Sequence, residues 1–193
     1  MLQIGIAGVG RLGRFHAGKI LSDPRCALAG VYDIDPVRNQ EVARDFGVKA
    51  FGSYAELLAA CDAMDIVATT SAHYELAKTA LHAGKPVFVE KPLCAELRQA
   101  EEVVELADKL GLSIQVGHIE RFNPVILAAE RHISSPLFIE STRISSFRPR
   151  GTDVSVVLDL MIHDIDLILD FVNSPLSAVR ANGAGILPPT LDI

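Results

Sequence analysis

The chain is short of the features that mark a disulfide scaffold, a nucleic-acid binder or a membrane span. Among its 193 residues are three cysteines, Cys26, Cys61 and Cys94. They are scattered, odd in number and form no CxxC pair. That excludes a disulfide framework and a zinc knuckle, and it fits reduced thiols. Lysine plus arginine number 18 against 24 aspartates and glutamates, for a formal net charge of −6. No basic face is on offer to nucleic acid. No run of about 18 apolar residues occurs, so neither a transmembrane helix nor a membrane partner is expected. Internal repeats and low-complexity tracts are missing too. The opening MLQIGIAGVG already reads as a strand entering a glycine turn. It leaves no room for a signal peptide, and the expected location is the cytoplasm.

What is present is the profile of a globular protein, 49% apolar and 22% charged. The length suits one large domain, or one domain plus part of another. Up to about residue 118, short apolar runs alternate with amphipathic stretches. Strands are predicted at 3–8, 28–33, 49–51, 65–69, 87–90 and 113–117. Helices are predicted at 11–21, 36–46, 53–60, 73–82 and 95–110. This alternation implies an α/β fold, a parallel sheet covered on both faces by right-handed crossovers. After Gly117 the rhythm changes. A helix is predicted from Asn123-Pro124, an extended stretch at 137–147, a polar hinge RPRGTD, an aliphatic helix at 156–172 and a strand at 176–183.

Residues 4–16 read IGIAGVGRLGRFH, which places Gly8, Gly10 and Gly13 in a GxGxxG pattern between a strand and a helix. The first glycine permits the tight turn, the second lets backbone approach a pyrophosphate, and the third packs helix on sheet. Arg11 and Leu12 belong to the same turn, where the helix N-terminus offers free N–H groups to phosphates. Asp33 closes the second strand, 20 residues after Gly13. A carboxylate there bonds ribose hydroxyls and repels a 2′-phosphate, favouring NAD over NADP. Arg38 is the counter-signal, since a nearby arginine accommodates that phosphate. The plainer alternative is that the glycines serve turns only and Asp33 caps a strand.

A second signal is KPVFVEKPL at 85–93. The run VFVE reads as a buried strand with Glu90-Lys91-Pro92 at its carboxyl end, the edge where open α/β sheets bind ligands. A lysine there is costly unless solvated or paired, and the following proline restricts its backbone. The competing reading is a surface lysine in a turn.

The third is the helix VVLDLMIHDIDLILDFV at 156–172. Asp159 and His163 are four residues apart and share one helical face. Asp166 and Asp170 continue that stripe, and Asp164 points elsewhere. By itself such a stripe reads as the solvated side of an amphipathic helix.

Together these segments resemble the Gfo/Idh/MocA oxidoreductases over essentially the whole chain. The resemblance is carried by GVGRLGRFHA, HYELAKTALHAGKPVFVEKPL, GHIERFNP and DLMIHDIDL. It implies an N-terminal Rossmann domain, residues 1–118, followed by part of an α/β substrate and oligomerisation domain, residues 119–193. It implies NAD(P)-dependent oxidation of a sugar or cyclitol hydroxyl. It gives Lys91 the place beside nicotinamide and reacting hydroxyl, with a cis Lys91–Pro92 bond. Asp159 and His163 correspond to the Asp-x-x-x-His pair of the dehydrogenating members. Chemistry agrees, because removing a hydride from a carbinol carbon also requires a base for the hydroxyl proton. Asp159 then orients the imidazole or binds a substrate hydroxyl.

The resemblance also puts Thr70, His73 and Glu90 near the cofactor, with Ser71-Ala72 standing where the family has Pro-Asn. His16 falls where the family often has a histidine near the cofactor. His118 and Arg121 are expected at the substrate. His82 and His132 read as surface residues, and no metal cluster is suggested by His118 with Glu120 or His163. GHIERFNP with DLMIHDIDL points to the nucleotide-sugar branch, with the 3-hydroxyl of UDP-N-acetylglucosamine as the reacting group in a route to lipid A. Arg121, Arg143, Arg148 and Arg150 then either bind a diphosphate or form a solvated edge. Homo-oligomers are implied as well.

The chain departs from the family in length, since the residues after Gly117 are too few for a complete second domain. Exposed apolar faces there predict self-association or disorder. A non-catalytic cofactor-binding protein, or a reductase of C=C or C=N bonds, therefore stays open beside the dehydrogenase.

Overall fold

The fold is known from a computed structural model, which describes residues 1–145, 154–172 and 174–185. It separates into two compact units, Met1–Gly117 and His118–Ile193.

The first unit holds five parallel strands in the order β2-β1-β3-β4-β5. They are β1 Leu2–Ala7, β2 Cys26–Tyr32, β3 Ala63–Ile66, β4 Val87–Val89 and β5 Ile114–Val116. The helices between them are α1 Arg11–Ser22, α2 Pro36–Phe46, α3 Tyr54–Ala59, α4 Thr70–His82 and α5 Leu97–Leu110. Local signals set several boundaries. Asp35 accepts the N–H groups of Val37 and Arg38 at the start of α2, where Pro36 fits the first turn. Gly47 and Gly111 end α2 and α5 in the left-handed conformation.

Buried side chains form two clusters. Ile6, Val31 and Val42 belong to one, and Leu57, Met64, Ile66, Leu81, Val89 and Val103 to the other. The adjacent β1 residues Ile6 and Ala7 divide between them, as alternating strand side chains must. Each fully buried aliphatic side chain here contributes about 2 kcal/mol. The β1–β2 register slips between Ile4 and Gly5, where Leu28 and then Gly30 are the partners. This bulge changes parity, so Leu28 and Val31, three apart, join the same cluster.

The segment 49–51, predicted as a strand, makes only an isolated Val31–Ala50 bridge. Helix α4 starts at Thr70 rather than at residue 73.

The second unit contains a 3-10 turn, Ile119–Phe122, helix α6, Pro124–Glu130, a π-helical stretch, Val157–Met161, and helix α7, Ile162–Phe171. The stretches 137–145 and 176–183, predicted to be extended or strand, form no ladder among the described residues. A strand needs a neighbour for its backbone groups, and none of the five strands lies in this unit. Residues 146–153, which include the whole of the expected hinge, lie outside the described residues. No helix among those described is long and apolar enough to cross a membrane.

Candidate active site

The chain passes from β1 to β2 on one side and to β3 on the other, so the carboxyl ends of β1 and β3 mark the switch in strand order. The glycine turn follows β1 there. Gly8 has φ +91°, and a Cβ on it would lie 2.5 Å from the Ala68 backbone. Gly13 is packed as tightly, since its Cβ would lie 2.1 Å from the Gly8 carbonyl oxygen. Gly10, by contrast, faces open space and begins α1 without a side-chain cap. Arg11 and Leu12 are exposed beside it. Helix α4 likewise starts at Thr70 with no side-chain cap, at the carboxyl end of β3. Both helix starts leave N–H groups available to an anion.

Asp33 is buried, and its two oxygens are already engaged. One accepts the Val9 N–H of the glycine turn at 2.8 Å, and the other accepts the Asp35 N–H at 2.9 Å. Arg38 approaches the same carboxylate at 3.2 Å. The residue expected at the ribose therefore also braces the turn, a task its position in the sequence does not announce.

Lys91 is half-buried just beyond β4, and the Lys91–Pro92 peptide is cis. Glu90 turns back so that its Oε2 accepts the Lys91 N–H at 3.1 Å. Its Oε1 lies 3.3 Å from Nε2 of His16, whose Nδ1 meets Asp65 Oδ2 at 2.9 Å. Burial opposes charge on His16, but the hydrogen bonds and charges of Asp65 and Glu90 prevail and raise it to about 9. Burial pushes the Asp65 carboxyl up, against the pull of its bond to His16. Asp65 is the site residue that sequence reading passes over. The available signal is an acid within the apolar run AMDIVA, because a buried charge requires a partner.

His73, expected to contact the cofactor, is fully buried with a different task. Its Nδ1 lies 2.8 Å from the Pro92 carbonyl and its Nε2 3.0 Å from the Ala68 carbonyl. The ring ties the turn after β3 to the loop after β4, and neither nitrogen faces outward.

Within the second unit the acids of α7 are sorted by partner. Asp166 receives two bonds from Arg121, each 2.7 Å, and lies 3.7 Å from His118 Nδ1. Asp170 takes a third bond from Arg121, and Asp164 is paired with Arg143. Asp166 is thus not simply solvated, as the stripe alone suggested. The Arg121 bond holds its carboxyl below the usual range, as the Arg143 bond does for Asp164. Arg121 and Arg143 spend their forks on these carboxylates, while Arg148 and Arg150 lie outside the described residues. Asp159 and His163 are half-buried and straddle the junction of the π stretch with α7. The wider π turn rotates Asp159 from the place a regular helix would give it, a device frequent at functional sites. Among the described residues, no group of three or more metal-ligating side chains comes together.

The family described as "Oxidoreductase family, NAD-binding Rossmann fold" (Gfo/Idh/MocA) matches residues 2–118. The chain belongs to the Gfo/Idh/MocA family. Over 193 residues it is 37% identical to UDP-N-acetylglucosamine 3-dehydrogenase from Acidithiobacillus ferrooxidans, covering 100% of this chain and 61% of that protein. The solved structure of that enzyme superposes with a TM-score of 0.91 over 99% of this chain and 63% of its own. Scyllo-inositol 2-dehydrogenase (NAD(+)) from Bacillus subtilis is 28% identical, covering 99% of this chain and 60% of that protein. The chain thus spans about three fifths of the length of these relatives.

In this Gfo/Idh/MocA chain the first unit fits a dinucleotide. The open approach at Gly10, the uncapped start of α1 and the carboxylate at the end of β2 are the features a pyrophosphate and a ribose require. Lys91 stands on the same sheet edge, one strand beyond β3.

Proposed function

We propose that this chain carries the cofactor-binding and catalytic residues of a dehydrogenase that oxidises a secondary hydroxyl of a nucleotide sugar. The 3-hydroxyl of UDP-N-acetylglucosamine is the first choice. The observation that carries this reading is Lys91 at the carboxyl end of β4, on the edge that also bears the glycine turn. The 37% identity along the whole chain to a UDP-N-acetylglucosamine 3-dehydrogenase supports the substrate. In this reading residues 1–118 are the cofactor domain, and 119–193 are the first part of a substrate and oligomerisation domain.

When bound, NAD supplies the acceptor for the hydride that leaves the carbinol carbon. Gly8, Gly10, Arg11, Leu12 and Gly13 hold its pyrophosphate, and Asp33 with Arg38 meets the adenosine ribose. The Asp33 carboxylate disfavours a 2′-phosphate. Thr70 and Glu90 line the nicotinamide side, and His73 fixes the backbone there. Lys91 holds the reacting hydroxyl and His163 takes its one proton, with Lys91 the alternative base, a service worth about 10²–10⁴ in rate. Asp159 orients His163 or binds a neighbouring hydroxyl. His118 and Arg121 shape the substrate side, with Arg121 steadied by Asp166 and Asp170.

The test is NADH formation from NAD and UDP-N-acetylglucosamine, with Lys91→Ala beside the parent. We expect Lys91→Ala to lower kcat about a hundredfold or more while NADH still binds. Equal turnover by the two would exclude the lysine role. Faster reaction with NADP would exclude the cofactor preference. Scyllo-inositol belongs in the same assay, because the match to an inositol dehydrogenase favours a cyclitol as the second reading.

A further inference from the structure

The dehydrogenase reading uses Lys91 but leaves unexplained why a histidine and two carboxylates are gathered behind it. His16 lies on α1, Asp65 on β3 and Glu90 just past β4. Their side chains are only 19%, 8% and 12% exposed. Two carboxylates sharing so small a buried volume repel each other unless one takes up a proton or a cation stands between them. The imidazole is in that place, with one nitrogen toward each acid. Asp65 has no other evident support, since its Oδ1 is buried without a hydrogen-bond partner among the described residues. The charged groups facing His16 are Asp65 from β3 and Glu90 from beyond β4, and β4 adds the edge of the Phe88 ring.

Glu90 is held on every side. Its N–H donates to the Ile66 carbonyl at 2.9 Å. A Cβ on Gly117 would stand 2.7 Å from its Oε1, so the glycine after β5 makes room for this carboxylate. Its other oxygen accepts the Lys91 N–H. The path from the ring to the lysine backbone is therefore one carboxylate long.

We propose that His16 is a positioning residue for Lys91: by bridging Asp65 and Glu90 it fixes the Glu90 carboxylate, which holds the Lys91 N–H and so sets the lysine at the strand end. The function of this lock rests on the reading that Lys91 acts on the substrate hydroxyl. The lock itself does not. Neutralising His16 removes one of its two N–H donors; the ring keeps the shorter bond to Asp65, and Glu90, no longer bridged, swings from the Lys91 amide toward water. A residue serving only to pack α1 on the sheet would have no such dependence on charge.

The test follows the 193-residue chain by carbon-detected NMR from pH 6 to about 10, reading the His16 ring and the Lys91 backbone 15N together. The expected result is one shared titration, with the Lys91 signal moving at the His16 midpoint, and loss of that movement in Glu90→Gln. A Lys91 signal indifferent to His16 overturns the proposal, and this measurement needs no His16 variant to fold. The kinetic arm is His16→Gln. Its kcat should fall about tenfold or more, with the Kd for NADH within about twofold of the parent. Unchanged kcat, or NADH binding weakened as much as turnover, overturns the positioning role. A parent that binds NADH but oxidises no sugar counts against the dehydrogenase reading alone, and the shared titration then decides the lock.

Discussion

The glycine turn separates at the level of single residues into parts that serve the fold and a part that serves a ligand. Gly13→Ala forces a Cβ against the Gly8 carbonyl, a backbone atom that cannot step aside. We expect it to cost about 3 kcal/mol or more, read as a lower midpoint in urea with NADH binding lost as a consequence. Gly10→Ala meets nothing and keeps an ordinary φ of −63°. Its stability should stay within about 1 kcal/mol of the parent, while NADH binding weakens about tenfold or more. If Gly10→Ala binds NADH as the parent does, the pyrophosphate does not sit on this turn. The spacing of the three glycines and the part each plays were legible in the sequence, but the Ala68 backbone that crowds Gly8 was not, because it lies far away in the chain. Asp65 was illegible for a related reason. An acid in a strand shows that a partner is needed, and only the tertiary fold shows that the partner is His16.

Elements show the same division. The α/β alternation was readable because five apolar runs of strand length lie between amphipathic helices. The bulge in β2 was not, since Gly30 gives no local sign of its tertiary neighbours. A Cβ on Gly30 would lie 2.4 Å from the Phe51 ring and 2.6 Å from the Lys49 carbonyl. Gly30→Ala should therefore destabilise by about 1–3 kcal/mol through overpacking, measured by urea unfolding with the slope unchanged. Helix α7 was readable as a helix, yet its acids could be sorted only when Arg121 and Arg143 came into view. The contact of α1 with β3 and β4 also carries a pH dependence. His16 is raised from 6.5 to about 9, so its contribution to stability is complete below about 6.5 and disappears as pH rises through about 9. We expect the parent's Tm to fall across that interval and the fall to be shallower in His16→Gln. A parent whose Tm is flat between those limits would mean that His16 is not held as an imidazolium.

For the molecule as a whole, the two units differ in how much core each owns. Every buried apolar side chain described lies between residues 6 and 107, except Leu167. The first unit also contains all five strands, with β1, β3 and β4 each paired on both sides. In the second unit Phe122, Val125, Leu137 and Phe138 are largely exposed, the last two by 102% and 81%. A sheet with both clusters in place meets the requirements of an independent domain, whereas two short helices and a π-helical lead-in do not. We therefore expect residues 1–117 alone to unfold cooperatively and to bind NADH with a Kd within about threefold of the longer chain, since the turn, Asp33 and Lys91 all belong to that unit. The check is thermal unfolding of the two proteins followed by NADH fluorescence titration. A piece that folds but has lost NADH would assign part of the cofactor's binding energy to residues beyond Gly117. A piece that does not fold would mean that His118–Ile193 completes the first core, against the distribution of buried side chains.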